Sequence, residues 1–539
     1  MSDSPINPKG IVYTRRWISD FMLDLAGYTP DQDLLAETIV EPCCGDGAFI
    51  VPMVERLVES AKRHGKQIIS AARCIRAYDI DPQAANQSRE AAMRVLVSTG
   101  LADDKATCLV NQWIRTGDFL LQDQDNLSVR WIVGNPPYVR AREIDPEIGK
   151  HYRMKWRTMG RRADLYIGFF EAALSILKSD GRVVYICADR WMKSAYGRQL
   201  RNLVSENNGL RLIIDLNEID PFLDAVSTYP AITVIDRMPT DHTIVIHVDK
   251  SFNKDDTENL AIEFGSGDIS GDSHRHNYQV QSQKLTPTIE GWPVAPDAKL
   301  KLITYLEATF PTLGEVDVRV RSGVATGADS IFIVSDSDLV EGSRLTKLVG
   351  PSDLADGSIQ WQGRYLVNPW DGQDLVTLDR FPRLDHYFNK HRERLERRHV
   401  AQNRPLSWWR TIDRVHPDIL VRPKLLISDI TKHIDPVLDD DGYVPMHSLY
   451  FLMSDTWDLR VLGGLLMSEV SDAQIRAYSV GMSGGYIRAT TQYLSRLRLP
   501  RFEDIRPDDR IHLAAAFLKR DRANANKLAL RLYGLQEIQ

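Results

Sequence analysis

Nowhere does this chain contain the run of about eighteen or more apolar residues that a membrane-spanning helix needs. The opening stretch, MSDSPINPKG, lacks the apolar core of a secretory leader. Cysteines number only five (Cys43, Cys44, Cys74, Cys108 and Cys187), and none stands in a CxxC pair. Neither a zinc site nor a disulfide framework is therefore expected, no metal is called for, and the chain reads as a reduced, cytoplasmic protein. Internal repeats are absent. A large excess of positive charge is absent too: 67 Lys and Arg against 73 Asp and Glu leave a net charge of −6. That sum does not exclude a nucleic-acid partner, because binding depends on where the charge sits. Residues 381–430 carry eleven Lys and Arg against six Asp and Glu, a local +5. Arg394, Arg397, Arg398, Arg404 and Arg410 lie in that stretch.

What is present is length and ordinary globular composition. At 539 residues, with 43% hydrophobic and 26% charged residues, more than one core is expected. Residues 11–250 alternate strand-like apolar runs (LLAETIV, RCIRAYDI, ATCLVN, RWIVGN, GRVVYICA, GLRLIIDL, YPAITVID) with helical stretches such as 48–63, 83–98 and 164–178. This is the rhythm of an α/β fold, a mostly parallel seven-stranded Rossmann-like sheet with helices on both faces. Residues 251–311 lose the rhythm and are rich in Gly, Ser, Asp and Pro, which predicts a linker or loop-rich connection. From 312 to 539 the composition predicts a mixed α+β domain ending in closing helices. The division is thus 1–250, 251–311 and 312–539.

Four strings in the first part carry chemistry. EPCCGDGAFI (41–50) follows an apolar run, and Gly45 and Gly47 would let a ligand approach bare backbone. AYDIDP (77–82) places Asp79 at a strand end, where an acid bonds ribose hydroxyls, while Asp81 before Pro82 suits a helix cap. Asp79 lies 32 residues after Gly47, long against the usual spacing of about 20 in nicotinamide sites. TGDFL (116–120) puts Asp118 near the same pocket as an acceptor for a ligand amine. WIVGNPPYVR (131–140) places Asn135, Pro136, Pro137 and Tyr138 at the carboxyl end of a strand, the edge where open α/β sheets bind ligands. The prolines stiffen the turn and donate no hydrogen bond, so the Asn135 side-chain oxygen and the Pro136 carbonyl form a rigid pair of acceptors beside the Tyr138 ring. That array suits a planar NH₂ group.

In this order the strings resemble the gamma class of adenine-N6 DNA methyltransferases of restriction-modification systems. The resemblance covers residues 10–240 well and 312–500 more loosely. It implies S-adenosyl-L-methionine as cofactor, with Thr14 at its methionine end, Glu41 and the Cys43–Gly47 turn around its amino-acid part, Asp79 on the ribose, Ile80 against the adenine ring, and Asp118 on the adenine amine with Phe119 beside it. It also implies a base-stacking aromatic, matched best by Phe222 and next by Tyr229. The resemblance makes the C-terminal region a target-recognition domain for double-stranded DNA. There Thr326, Gly327 and Asp329 would form a phosphate-facing turn and 482–488 (MSGGYIR) a second backbone-contacting loop. Two positions depart from the pattern: Arg15 follows Thr14 where the family has proline, and Ala188–Asp189–Arg190 stand where it has a proline after the fifth strand.

The mechanism implied is direct methyl transfer to N6 of an adenine turned out of the duplex, with no cysteine nucleophile, so Cys43 and Cys44 are expected to be structural. Rival readings are an NPPY methyltransferase acting on RNA adenine or protein glutamine, a cytosine-N4 enzyme, and a catalytically silent DNA-recognition subunit. A fused nuclease is disfavoured because no paired acids with a nearby Glu-x-Lys stand out. The large C-terminal region favours DNA, with a restriction endonuclease or defence-system subunit as a further partner.

Overall fold

A computed structural model of the chain describes residues 12–123, 127–206, 209–223, 229–269, 273–275, 277–285, 291–292, 297–479 and 485–536. They form two compact units, residues 1–296 and 297–539. The first unit opens with helix α1 (Arg16–Ala26), then strand β1 (Ile39–Glu41), α2 (Ile50–Arg63), β2 (Ile75–Asp79), α3 (Pro82–Ser98), α4 (Asp103–Trp113) and β3 (Ile114–Thr116). There follow β4 (Val129–Gly134), α5 (Pro146–Lys155), α6 (Tyr166–Ile176), β5 (Leu177–Ala188), β6 (Gly209–Asp215), β7 (Pro230–Asp236), β8 (Thr243–Val248), β9 (Ser273–His274) and β10 (Tyr278–Gln283).

One sheet runs through the unit in the order β3-β2-β1-β4-β5-β7-β6-β8-β10-β9. The strands from β3 to β5 are parallel, β7 runs antiparallel between β5 and β6, and β8 pairs parallel with β6. The apolar runs are continuous because both faces are covered. Trp131 and Val133 of β4 enter one core with Val184 and Ile186 of β5, while Ile132, Val183, Tyr185 and Cys187 enter the other. Alternate residues thus face alternate layers, and each large aliphatic or aromatic side chain so buried contributes about 1.5–3 kcal/mol.

Three expectations change. The sheet has ten strands rather than seven, because β8, β10 and β9 continue it past β6. ATCLVN is helical: Asp103 and Asp104 open α4 where a helix favours negative charge, and Ala106, Leu109, Val110 and Trp113 recur at helical spacing on its buried face. The strand beyond it is the short β3. The stretch 251–311 is not simply loop: Asn253 caps a helix over Lys254–Ser266 in a capping box with Asp256, β10 lies inside it, and a further helix spans Asp297–Thr309. The boundary between compact units falls at 296/297, within that stretch.

The second unit is built on an antiparallel four-stranded sheet in which Val318–Ser322 pairs with Leu449–Ser454, which pairs with Lys424–Ser428, which pairs with Val437–Asp439. A fully buried ion pair, Lys424 Nζ to Asp439 at 2.6 Å, joins two of these strands. The expected closing helices are Pro507–Leu518 and Arg522–Leu532. Helix Leu459–Leu466 lies against the first of them at Gly464, where a Cβ would stand 2.4 Å from the Leu513 carbonyl oxygen. Among the described residues no helix is long and apolar enough to cross a membrane.

Candidate active site

The carboxyl ends of β1, β2 and β4 converge on a cavity of about 490 Å³, within the range of small-molecule sites, about 300–1,000 Å³. The turn after β1 makes its floor. Gly45 takes a positive φ of 53°, which directs its N–H to Asp79 Oδ2 at 2.8 Å. Asp79 Oδ1 accepts from Asp81 N, also at 2.8 Å, so one carboxylate fixes both turns. Asp81 caps α3 by accepting from Gln83 N. Gly47 is not part of the lining; its φ of 98° brings the turn against Ser88 and Ala91 of α3.

Glu41 projects from the last residue of β1 into the cavity wall, buried, with Oε2 lacking any hydrogen-bond partner. Burial first, and the nearby Asp79 and Asp46 second, hold its carboxyl well above the usual range. Ile80 lies across the mouth, 64% exposed although apolar. Asp118 lines the same side: Oδ1 accepts from Leu120 N, and Oδ2 accepts from the Tyr152 hydroxyl at 2.6 Å. Phe119 is buried and stacks on Phe169, with ring centroids 5.9 Å apart. Thr14, Cys43, Gly45, Asp79, Asn135 and Pro137 of the expected set also line this cavity, whereas Pro136 and Tyr138 are not among its lining residues.

Sequence reasoning missed the wall supplied by α5 and its approach: Glu143, Ile144, Asp145, Ile148 and Tyr152. Ile148 and Tyr152 stand four residues apart after the NPPY string, a helical spacing that was there to be read. Burial, and then the Asp118 carboxylate, push the Tyr152 phenol up, so it remains a donor.

At the end of β4 the Asn135 side chain is held from one side. Its Nδ2 donates to the Val12 carbonyl at 2.9 Å and to Thr14 Oγ1 at 3.1 Å. Two acceptors facing one end assign the amide's orientation and leave Oδ1 buried with no partner. The Cys43 thiol donates to the Asn135 backbone carbonyl at 3.0 Å, and burial keeps that thiol protonated. The Thr14 segment is itself anchored by pairing with 221–223: Arg15 N donates to the Pro221 carbonyl, Leu223 N to the Tyr13 carbonyl, and Thr14 bridges Phe222. Arg15 supports this pairing where a proline, having no N–H, would not.

Phe222 differs from the expectation of an open stacking face. It is 1% exposed and packs edge-on against Tyr138, centroids 6.1 Å apart, as part of the core. Tyr138 meets Tyr166 in the same way at 6.5 Å, so its ring is braced on two sides while remaining only partly buried. Tyr229 lends its carbonyl to Asp189 N, which meets the donor that a proline would have lacked, and Asp189 pairs with Lys193 at 2.8 Å. Pro136 is buried beneath the turn.

In the second unit the candidate arginines divide. Arg398 reaches inward, donating to the carbonyls of Leu395, Thr326, Trp408 and Arg410, with its guanidinium over the Phe332 ring. Burial lowers its pKa to about 10. It is a strut between two loops, although it also lines the second cavity. Thr326 is likewise corrected: it is 2% exposed, and its hydroxyl closes the turn by donating to Asp329 and accepting from Ala328 N. Arg397 pairs with Glu393 on the helix surface, whereas Arg394 and Arg404 are exposed. Arg404 and Arg410 line a second cavity, with Arg410 over the Trp370 ring. Of 482–488, residues 482–484 lie outside the described residues, and Arg488 pairs with Asp429.

A cavity of this size at the carboxyl edge of an open α/β sheet, with an unsatisfied amide oxygen at its rim, fits the class of small-ligand-binding α/β enzymes to which methyltransferases belong. Comparison with known proteins narrows the class. The Eco57I restriction-modification methylase family matches residues 73–222. The Type II methyltransferase M.PaeR7I of Pseudomonas aeruginosa is 37% identical over 99% of this chain and 93% of its own length. M.XhoI of Xanthomonas vasicola is 36% identical over 98% of both chains. Among solved structures, the Type IIL restriction-modification enzyme MmeI in complex with DNA covers 97% of this chain and is covered over 74% of its own, at a TM-score of 0.61 and 13% identity, a likeness of fold. The chain belongs to the Type II methyltransferases of restriction-modification systems.

Proposed function

We propose that this protein transfers a methyl group from S-adenosyl-L-methionine to N6 of an adenine turned out of double-stranded DNA, as the modification enzyme of a restriction-modification system. The observation that carries the reading is the Asn135 amide: both Nδ2 hydrogens are engaged while a buried Oδ1 has none. A buried acceptor left unpaired costs about 1–3 kcal/mol, so its presence at a cavity rim marks the place of a missing donor.

The cavity residues fit the cofactor. Glu41 Oε2 is an orphaned acceptor suited to a cationic amino group, the Asp79 carboxylate sits at a strand end suited to ribose hydroxyls, and the exposed Ile80 face suits an adenine ring. Asp118 would accept from the adenine amine, with Phe119 beside it. When bound, the cofactor supplies an electrophilic methyl on a sulfonium. Asn135 Oδ1 and the Pro136 carbonyl would each take a hydrogen of the target amine, drawing its lone pair out of conjugation and toward that methyl. In the transfer the methyl–sulfur bond would break as the N–C bond forms, its electron pair staying on sulfur as a neutral thioether, and the nitrogen would give up one proton to water. Tyr138, braced by Phe222 and Tyr166, would stack on the extruded base; such stacking is worth about 1–3 kcal/mol against an unstacking cost of a few kcal/mol.

The test is incubation of the protein and its Asn135→Ala variant with labelled S-adenosyl-L-methionine and mixed-sequence duplex DNA, then mass analysis of nucleosides. N6-methyladenine from the wild type alone supports the reading. Label confined to cytosine, RNA or protein overturns it, and cofactor binding without transfer to any substrate would make the chain a recognition subunit.

A further inference from the structure

Positive charge is concentrated in the first unit as well. Residues 140–162, directly after the NPPY turn, hold eight Lys and Arg against three Asp and Glu, +5 within 23 residues. That is close to the density of the second unit's basic stretch, where residues 390–410 reach the same excess in 21 residues.

The fold gives this segment two faces. Inward, Ile148 and Tyr152 wall the cofactor cavity, and Tyr152 is tied to Asp118. Outward, Arg153, Met154, Arg161 and Arg162 are exposed, Met154 at 85%. Among the described residues no carboxylate pairs with Arg153, Arg161 or Arg162, whereas Lys150 pairs with Glu147 and Arg157 lies 3.7 Å from Glu171. The segment is also fastened to the catalytic turn. Leu165 N donates to the Val139 carbonyl, and Asp164 accepts from Ala141 N and from the Tyr196 hydroxyl. The Arg161–Arg162 turn is therefore held a few residues from both ends of the loop that leaves Asn135.

Exposed guanidinium groups with no acid to neutralise them, fixed beside a site that handles a base, have one fitting partner: a phosphate backbone. We propose that residues 140–162 form a phosphate-contacting surface of the catalytic unit, with Arg153, Arg161 and Arg162 gripping the DNA backbone next to the extruded adenine. This rests on the duplex-DNA reading above. The surface sets register and affinity and reads no sequence. It would hold the strand at the point where one base leaves the stack, while the second unit supplies sequence reading.

The experiment is equilibrium binding of the full chain to a short mixed-sequence duplex over a range of salt concentrations. The triple variant Arg153→Gln, Arg161→Gln, Arg162→Gln is compared with Arg153→Lys, Arg161→Lys, Arg162→Lys, with thermal melting as the check on folding. Each lost phosphate contact lowers the slope of log affinity against log salt by about 0.9. The glutamine variant is expected to lose about 2–3 in slope and the lysine variant to keep it. An unchanged slope in the glutamine variant overturns the proposal even if the wild type methylates adenine. A wild type that labels no DNA, but binds it with a slope the glutamine variant lowers, overturns the catalytic reading and leaves the surface standing.

Discussion

Thr14→Val isolates what holds the Asn135 amide, the group proposed to meet the target amine. The substitution keeps the side chain's volume and removes the hydroxyl that accepts from Asn135 Nδ2 at 3.1 Å. The Val12 carbonyl, at 2.9 Å, still takes the other hydrogen, so the amide keeps its orientation but one N–H loses its partner in a site where Thr14 is buried. A buried unsatisfied donor costs about 1–3 kcal/mol, and the remaining bond limits the amide's movement, so the lower half of that range applies. If the cost falls on the geometry that presents Oδ1 to the amine, methyl transfer slows by about 5- to 30-fold, the equivalent of about 1–2 kcal/mol. Thr14→Ser, which retains the acceptor, should stay within about threefold of wild type. The assay is single-turnover methylation of a duplex at saturating cofactor, beside equilibrium binding of the cofactor alone. A Thr14→Val protein that transfers at the wild-type rate but binds cofactor weakly would refute the reasoning: Thr14 would then serve the cofactor, and the Asn135 contact would be incidental.

Other consequences can be read from single groups. Because Glu41 has a raised pKa, the folded protein binds more protons than the unfolded chain between the ordinary carboxylate range and that raised value, so stability falls as pH climbs through this window. Glu41→Gln should raise the melting temperature of the cofactor-free protein above the ordinary carboxylate range and flatten that dependence. A cationic cofactor should drive a proton off Glu41, which calorimetry in buffers of different ionisation enthalpy would register in the wild type and not in Glu41→Gln. Tyr152→Phe removes the hydrogen bond to Asp118 and should weaken cofactor binding by about 3- to 10-fold, with little change in single-turnover rate at saturation. Arg398→Met should lower unfolding free energy by about 2–4 kcal/mol, since four carbonyls lose their donor, whereas the exposed Arg404→Ala should change stability by under about 0.5 kcal/mol and weaken DNA binding. Denaturant melts and filter binding separate these two arginines.

Much of the cavity edge proposed for the cofactor was legible because its residues act through backbone geometry at strand ends. Gly45, Asp79, Asp81 and Asn135 each follow an apolar strand run near its carboxyl end, whereas the run before Asp118 is helical and only the short β3 leads to it. Phe222 and Arg398 show where this reading stops. A hydrophobic ring near a site has no sequence mark for whether its face is open, and here it closes on Tyr138. An arginine in a basic stretch has no mark for whether it turns inward, and Arg398 is recruited by four carbonyls from loops as distant as residue 326. The basic segment after the NPPY turn was overlooked for a related reason: the same helix also carries the buried Tyr152, and its two faces separate only once the helix is placed against the cavity.

Local rules were therefore enough for the order of motifs, the class of fold, the helices over 50–63, 82–98 and 166–176, and the acceptor array, since each depends on neighbours within a few residues. Packing alone decided the extension of the sheet to ten strands, whereas the helix over ATCLVN and the one over Lys254–Ser266 carry local marks, first-turn acids and the Asn253 capping box, that lie outside the apolar runs. Packing also decided which acceptors hold Asn135: Val12 and Thr14 stand 123 and 121 residues away in sequence, and only the folded chain brings them to the one amide whose oxygen is left open.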